Sequence, residues 1–382
     1  MENESRAFRI GPIRPPSEAN SLLLQVTRGC TWNKCKFCQL YRHTTFKAYS
    51  ADSIKKDIDN MKYLSDIVTS FRDGTKWDLN GLNQKMRSIP ADERESFYML
   101  ANWHINGNGS VFLQDGNTTV LRDGRLPDVL RYLKDAFPEI TRITSYGRAE
   151  NLAKVSAEEF AELKEAGLDR IHSGFETGSD EVLKLINKGV TQEEEIRAGK
   201  AVKAGGIELS VYYMAGVGGR DLSEENARGM SYVVNEVNPD FLRLRTCAIK
   251  PFTGLDEDLQ AGRYFLASED DKVREIRYII DNARDIDTMV VSDHILNLLQ
   301  HIEGHIIDEK AYMLDIIDRY LEMDEMDKRR FQAARRTLGL LKPEFYDRLD
   351  VSDRMRIEKM VSDSGDRYEW DMKINDIIAN YI

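Results

Sequence analysis

The chain has 382 residues, of which 41% are hydrophobic and 31% charged, and it carries a net charge of −11. This is enough chain for one large domain with an appendage, and the composition is that of a soluble globular protein. No apolar run approaches the ~20 residues needed to cross a bilayer, and the acidic balance argues against non-specific nucleic-acid binding.

Residues 1–20 are polar and proline-containing and lack a signal-peptide apolar region, so the cytoplasm is the expected location. Leu22 to Thr27 reads as a buried strand. Directly after it come Cys30, Cys35 and Cys38, three of the chain's four cysteines, spaced C-x4-C-x2-C on a loop. Thiolates at this spacing converge on a metal or an iron–sulfur cluster. With His43 they could also form a structural zinc site, which would make the chain a zinc-stapled binding protein and not an enzyme. A disulfide is not expected among close cysteines of a cytosolic chain.

Ser50 to Ile67 reads as a helix capped by Ser50. Residues 71–108 are polar, with a helical pattern from Ala91 to Leu100, and read as an insertion. Val111 to Gln114 is a second strand, ending in Asp115-Gly116-Asn117. A helix over Leu126 to Phe137 leads to a third strand, Ile140 to Ser145. Ser156-x-x-Glu159 is a capping box opening a helix that stops at Gly167. Arg170 to Glu176 is the fourth strand. The helix from Thr191 to Gly205 precedes a fifth, Glu208 to Met214. The helix from Ser223 to Val237 precedes a sixth, Phe241 to Cys247. Strand and helix alternate six times, which predicts an α/β fold with a parallel sheet curved into a partial barrel. From Ser268 on, charged helical patterns dominate, including Asp270–Asp285 and Asp293–His305, and no strand is expected. The organisation expected is an N-terminal extension (1–20), a strand–helix body (21–267) and an α-helical C-terminal region (268–382).

The strand–loop unit around Cys30, Cys35 and Cys38, with Phe37 before the last cysteine, resembles the radical S-adenosylmethionine (SAM) superfamily. One extra residue separates Cys30 from Cys35 relative to the usual spacing. Gly174-Phe175-Glu176-Thr177-Gly178 with Ile186-Asn187-Lys188-Gly189 resembles the branch of coproporphyrinogen oxidases, methylthiotransferases and the elongator catalytic subunit. The resemblance implies a partial (β/α)6 TIM-like barrel. It implies that the three cysteines hold three irons of a [4Fe–4S] cluster whose fourth iron takes SAM. Asp115, Gly116 and Asn117 would meet the methionyl ammonium, Glu176 the ribose or amino group, and Lys188 the carboxylate. Phe37 and Gly216 would lie near the adenine, with Ser145 and Arg148 also at the cofactor. One electron from a flavodoxin- or ferredoxin-type donor would cleave SAM to a 5′-deoxyadenosyl radical that abstracts hydrogen from substrate.

Side chains alternate along a strand. Arg170, His172, Gly174 and Glu176 therefore share a face, as do Ser210, Tyr212 and Met214, and Arg243, Arg245 and Cys247. An arginine face turned into a barrel is costly unless the cations are paired or bind an anion. A small anionic substrate is therefore expected, with His172, Tyr212, Arg243, Arg245 and Cys247 as candidate residues facing it. A tRNA or protein substrate is the alternative within the family. Cys247 is read first as a buried structural thiol. His294 is read as the start of a helix, and His301 and His305 as surface residues.

Overall fold

The computed structural model describes residues 5–381. The six expected strands are present: β1 (Leu22–Gln25), β2 (Ser110–Gln114), β3 (Arg142–Tyr146), β4 (Leu168–Glu176), β5 (Glu208–Ala215) and β6 (Phe241–Thr246). Helices follow them in the expected places: α1 (Ala51–Thr69), α2 (Leu79–Ser88) and α3 (Arg94–Asn106) after β1, α4 (Arg125–Ala136) after β2, α5 (Ala157–Ala166) after β3, α6 (Gln192–Ala204) after β4, and α7 (Ser223–Val237) after β5. The caps read from the sequence are made. Ser50 accepts from Ser53 N, Ser156 and Glu159 close a capping box, and Gly167 takes the left-handed conformation at φ 114° that stops α5. This is the α/β architecture of parallel strands with intervening helices expected of the alternation.

The chain divides into two compact units. One comprises the residues up to Asn33, His43–Ser173 and Ala201–Leu209; the other comprises Lys34–Arg42, Gly174–Lys200 and the residues from Ser210 on. In the first unit, β1, β2 and β3 pair in parallel, and β3 pairs with the start of β4 across a register shift at Ile143/Thr144. Leu22, Leu24, Val111 and Leu113 are wholly buried. The polar segment 5–20 packs on this unit. Phe8 N donates to Ser96 Oγ at 3.1 Å, Arg9 bonds Asp57 at 2.5 Å, and Gly11 N donates to Gln114 Oε1 at 2.8 Å.

At the end of that segment Glu18 is fully buried, with Arg142 Nη2 at 3.1 Å and His172 Nε2 at 3.5 Å. Burial would raise the Glu18 carboxyl, but the His172 and Ser21 hydrogen bonds and the Arg142 charge hold it below its usual range. Glu18→Ala leaves the Arg142 guanidinium and the His172 ring facing a buried hole. It is expected to cost about 3 kcal/mol, the usual loss when one member of a buried pair is removed, read as a lowered urea midpoint. The pH sign follows from the lowered carboxyl: this contribution is present above its unfolded-state pKa and fades as pH falls through the folded one.

In the second unit β5 and β6 pair in parallel, with Arg243 level with Tyr212 and Arg245 level with Met214. Tyr213 and Leu244, on the opposite face, are wholly buried, and the Tyr213 hydroxyl reaches the helix α8 (Glu269–Asp281). The arginines therefore look away from the helices, as the alternation requires. Further along the chain lie the helices α9 (Ile306–Leu321), α10 (Glu325–Leu338), α11 (Val351–Ser362) and α12 (Arg367–Ala379).

Two expectations for this region are overturned. It contains strands: β7 (Met289–Val291) pairs in parallel with β6, and β8 (Gly304–His305) pairs antiparallel with β7. Residues 293–305 are not a helix but turns ending in β8. The helical ladder is pre-empted because the carbonyls of Ile295, Leu296 and Asn297 are taken by the guanidiniums of Arg335 and Arg336 on α10. Asn297 Nδ2 in turn donates to Leu244 O at 2.9 Å. Among the described residues no helix is long and apolar enough to cross a membrane.

Candidate active site

In the first unit, Cys30 follows a sharp turn at Gly29, where φ is 82° and Gly29 N lies 3.4 Å from an Asp115 carboxylate oxygen. Asp115 is itself buried, and its N–H donates to Thr27 Oγ1 at 3.2 Å. Asn117, also buried, is the hub of this end. Its amide nitrogen donates to Asn151 and, at 3.4 Å, to Thr31 Oγ1 beside Cys30. Its oxygen accepts from Thr119 Oγ1 at 3.1 Å and from Arg148 N at 3.4 Å. The Arg148 guanidinium lies 5.8 Å from the Trp32 ring. The structure therefore joins Asp115, Asn117 and Arg148 to the residues flanking Cys30. Ser145 is different. It stands in register with Leu113 and Ile171, one face away from Tyr146 and His172. His172 is buried between Phe112 and Tyr146, where it meets Glu18.

In the second unit, the segment of Cys35 and Cys38 is clamped by backbone. Lys36 N donates to Ile186 O at 2.8 Å, Leu255 N donates to Lys36 O at 3.0 Å, and Asn187 Nδ2 donates to Lys34 O at 3.0 Å. The Lys36 ammonium bonds Asp258 at 2.6 Å. Of these clamping residues, Ile186 and Asn187 lie in the motif quoted from the sequence, whereas Leu255 and Asp258 lie outside it. Their signal is faint: Asn187 at φ 50° and a short helix, Gly254–Gln260, after the sixth strand. Phe37 packs on the buried cluster of Val182, Ile186, Val217, Cys247, Ile249 and Leu255. Cys247 is thus a core thiol, pushed up to about 12 by burial.

At the end of β4, Glu176 holds a left-handed backbone at φ 70° and lays its carboxylate over Gly174. A Cβ at Gly174 would sit 2.2 Å from Glu176 Oε1, so a larger residue there would displace the Glu176 carboxylate. Lys188 Nζ bonds that same oxygen at 3.2 Å and stands 5.5 Å from the centre of the Phe37 ring. Backbone strain of this kind persists where surrounding structure enforces it, and it gathers at functional sites. Behind the pair lies Glu195, fully buried, which burial pushes well above the usual carboxyl range while Lys188 pulls it down.

Gly216, at φ 82°, is fixed from both sides. Its N–H donates to Glu275 at 2.7 Å, and its carbonyl accepts from the Tyr264 hydroxyl at 2.9 Å. Glu275 on α8 also accepts from Tyr213, Ser223 and Asn226. Burial pushes its carboxyl up to about 7 against the pull of these four donors. A carboxyl raised on folding lends stability fully below its unfolded pKa and loses it as pH climbs through the folded one. Between about pH 4.5 and 7 the protein is therefore expected to lose on the order of 3 kcal/mol through this group. Glu275→Gln should remove that slope from urea titrations run at pH 5 and pH 8; an unchanged slope would assign it to other groups.

Three thiols on one loop match a [4Fe–4S] cluster that leaves one iron for a small molecule. Cys30 and Cys35 are half-buried and Cys38 is exposed, and no disulfide joins them. The fit is one of donor type and number. Among the described residues no three His, Cys, Asp or Glu side chains are gathered into a ready-made metal group. His43, the fourth ligand of the zinc reading, is exposed.

Comparison with known proteins bears on the same stretch. The model of the radical SAM superfamily matches residues 24–228, which is 205 of 382 residues. The tRNA uridine(34) acetyltransferase of Methanocaldococcus jannaschii is 26% identical over 121 residues, covering 31% of this chain and 22% of that one. The 4'-phospho-dehydrooxetanocin synthase of Priestia megaterium is 26% identical over 232 residues, covering 60% of this chain and 27% of that one. The chain thus spans about a quarter of the length of these curated relatives. Coproporphyrinogen III oxidase (HemN) from Escherichia coli has a TM-score of 0.44 at 16% identity, covering 68% of this chain and 51% of that one. The cobalamin-dependent radical enzyme OxsB, with aqua-cobalamin and SAM bound, has a TM-score of 0.43 at 14% identity, covering 94% and 54%. With more than half its length matched by the family model, the chain belongs to the radical SAM superfamily, whose enzymes use a [4Fe–4S] cluster and SAM.

Proposed function

We propose that this chain abstracts hydrogen from a small anionic substrate by SAM-dependent radical chemistry. The observation that carries the reading is the Glu176–Lys188 pair, held over Gly174 and beside Phe37, the residue before Cys38. Cys30, Cys35 and Cys38 would hold the cluster. Lys188 would meet the SAM carboxylate, Glu176 a ribose hydroxyl or the amino group, and Asp115, Gly116 and Asn117 the ammonium. Phe37 and the pinned Gly216 backbone would lie near the adenine, and Arg148 at the Cys30 end of the cofactor. When bound, the cluster and SAM supply a 5′-deoxyadenosyl radical on receipt of one electron from a flavodoxin- or ferredoxin-type donor. The protein's own part is to orient the substrate and exclude water, with Tyr212, Arg243 and Arg245 on the substrate's face. No side chain here is assigned a proton or hydrogen transfer, and the core position of Cys247 supports a structural thiol.

The test is an anaerobic assay of the reconstituted protein for 5′-deoxyadenosine across small carboxylates and phosphate esters, followed by deuterium transfer from a labelled substrate. Deuterium in the product nucleoside supports the reading. Iron-loaded protein that cleaves SAM with none of them, but does so with tRNA, would favour a macromolecular substrate.

A further inference from the structure

The substrate-facing arginines of β6 are not alone on their face. The turn after β7 lays the Asp293 carboxylate across both, with Arg243 Nη1 at 2.6 Å from Oδ2 and Arg245 Nη1 at 2.9 Å from Oδ1. Arg243 also donates through Nε to Ser210 Oγ at 2.9 Å, and Arg245 Nη1 donates to the Leu244 carbonyl at 2.7 Å. The second terminal nitrogen of Arg245, Nη2, is buried and meets no acceptor among the described residues. Folding a cationic N–H away from water without an acceptor costs on the order of 1–3 kcal/mol or more. A fold that tolerates this cost keeps a strong donor in reserve. The guanidinium is steadied from below by the Tyr212 ring, 4.7 Å from its centre.

Two guanidiniums face one carboxylate, and the neighbouring imidazole of His294 adds nothing. Its Nδ1 accepts from Leu296 N at 3.3 Å, and burial, with the Arg245 charge next, drives its pKa down to about 4.

We propose that Arg245 Nη2 is the seat for one oxyanion of the substrate, a carboxylate or a phosphate ester, and that Asp293 is the built-in counter-charge that weakens the pull of this seat on an anion. The proposal rests on the reading of this face as the substrate's. It adds Asp293, which was absent from the sequence-based candidates, as a specificity-determining residue. A neutral substrate would leave the Arg245 donor unsatisfied. A substrate clustering several negative charges at one end would be opposed by the Asp293 carboxylate.

The proposal makes two substitutions act in opposite directions. Arg245→Gln removes the donor. Asp293→Asn keeps the shape and one acceptor oxygen but removes the internal anion. Calorimetric titration of the full-length reconstituted protein with inorganic phosphate, and separately with acetate, reads both. Phosphate or acetate affinity should fall about tenfold or more in Arg245→Gln and rise about tenfold in Asp293→Asn, the scale of one nearby charge at a partly screened site. The stronger of the two anions identifies the oxyanion class. Weaker binding in both variants would make Asp293 a purely structural strut and overturn the proposal, as would wild-type binding of neither anion. Arg245→Lys serves as a second variant: it keeps the charge but loses the second N–H direction, and should bind more weakly than wild type. SAM affinity is measured alongside. Intact SAM binding with the wrong anion pattern sinks this inference alone, whereas absent SAM binding in the wild type sinks the functional reading instead.

Discussion

Replacing any one of Cys30, Cys35 or Cys38 by alanine is expected to abolish SAM cleavage and to leave the reconstituted protein nearly colourless. Wild-type protein, treated identically, should bind about four irons and absorb broadly near ~400 nm, as cubane clusters do. The argument is one of counting donors. Three thiolates hold three irons, and no spare thiol can replace a lost one. Cys247 sits in an apolar cluster with its thiol pushed up to about 12, so it is neither accessible nor ionised at neutral pH. Cys247→Ala is therefore the matched control. It should keep full iron content and lose only some packing stability. The clamping of Lys36 between Ile186 and Leu255 adds a finer expectation. Asp258→Ala, which frees the Lys36 ammonium from its 2.6 Å partner, should slow reconstitution without lowering the final iron count. Full iron uptake by a cysteine variant would remove the whole account. Iron loss in Cys247→Ala would move the fourth thiol into the site.

Most of the architecture was legible because it is local. Each strand announces itself by a run of apolar residues and each following helix by its cap, so Ser50, Ser156 and Gly167 mark boundaries that the backbone respects. The period of two along β6 was enough to turn Arg243 and Arg245 away from the helices, since Leu242 and Leu244 could only face them. What escaped was decided by distant partners. β7 is three residues long, too short to show a period, and exists because β6 offers it an edge. The 293–305 stretch has a helical pattern but gives its carbonyls to Arg335 and Arg336, which lie some forty residues away in the chain. Glu18 in a polar leader and Glu275 on a charged helix look like solvated acids. Only the packing reveals that one faces Arg142 and His172 and the other gathers four donors around Gly216. Of the cofactor residues, those inside a long motif, such as Glu176 and Lys188, could be named in advance. The clamp on Lys36 could not, because Ile186 and Leu255 meet it only once the chain has folded back.

Lys188→Met is expected to weaken SAM binding by about 10- to 100-fold, the value of one charge-assisted hydrogen bond to a carboxylate, while leaving iron content unchanged. The structure sharpens the expectation. Lys188 is the shared cation of two carboxyls: Glu176, bonded at 3.2 Å, and the fully buried Glu195, whose carboxyl its charge pulls down. Removing it leaves Glu176 without its countercharge and lets Glu195 keep its proton to still higher pH. Glu176→Gln alone removes the carboxylate that holds the ammonium in place, and Lys188 is then free to swing. If the two residues act on SAM as one unit, the double variant should lose little more than the worse single variant, a coupling of at least about 1 kcal/mol in the cycle. Lys188→Arg discriminates charge from shape. The cation persists beside Phe37, but its planar fork is larger than the space over Gly174, so recovery should be partial. Equilibrium SAM binding, with electron paramagnetic resonance of the reduced cluster as a second readout, decides the matter. Wild-type affinity and an unaltered SAM-induced signal change in Lys188→Met would show that the pair braces the strand end and never meets the cofactor.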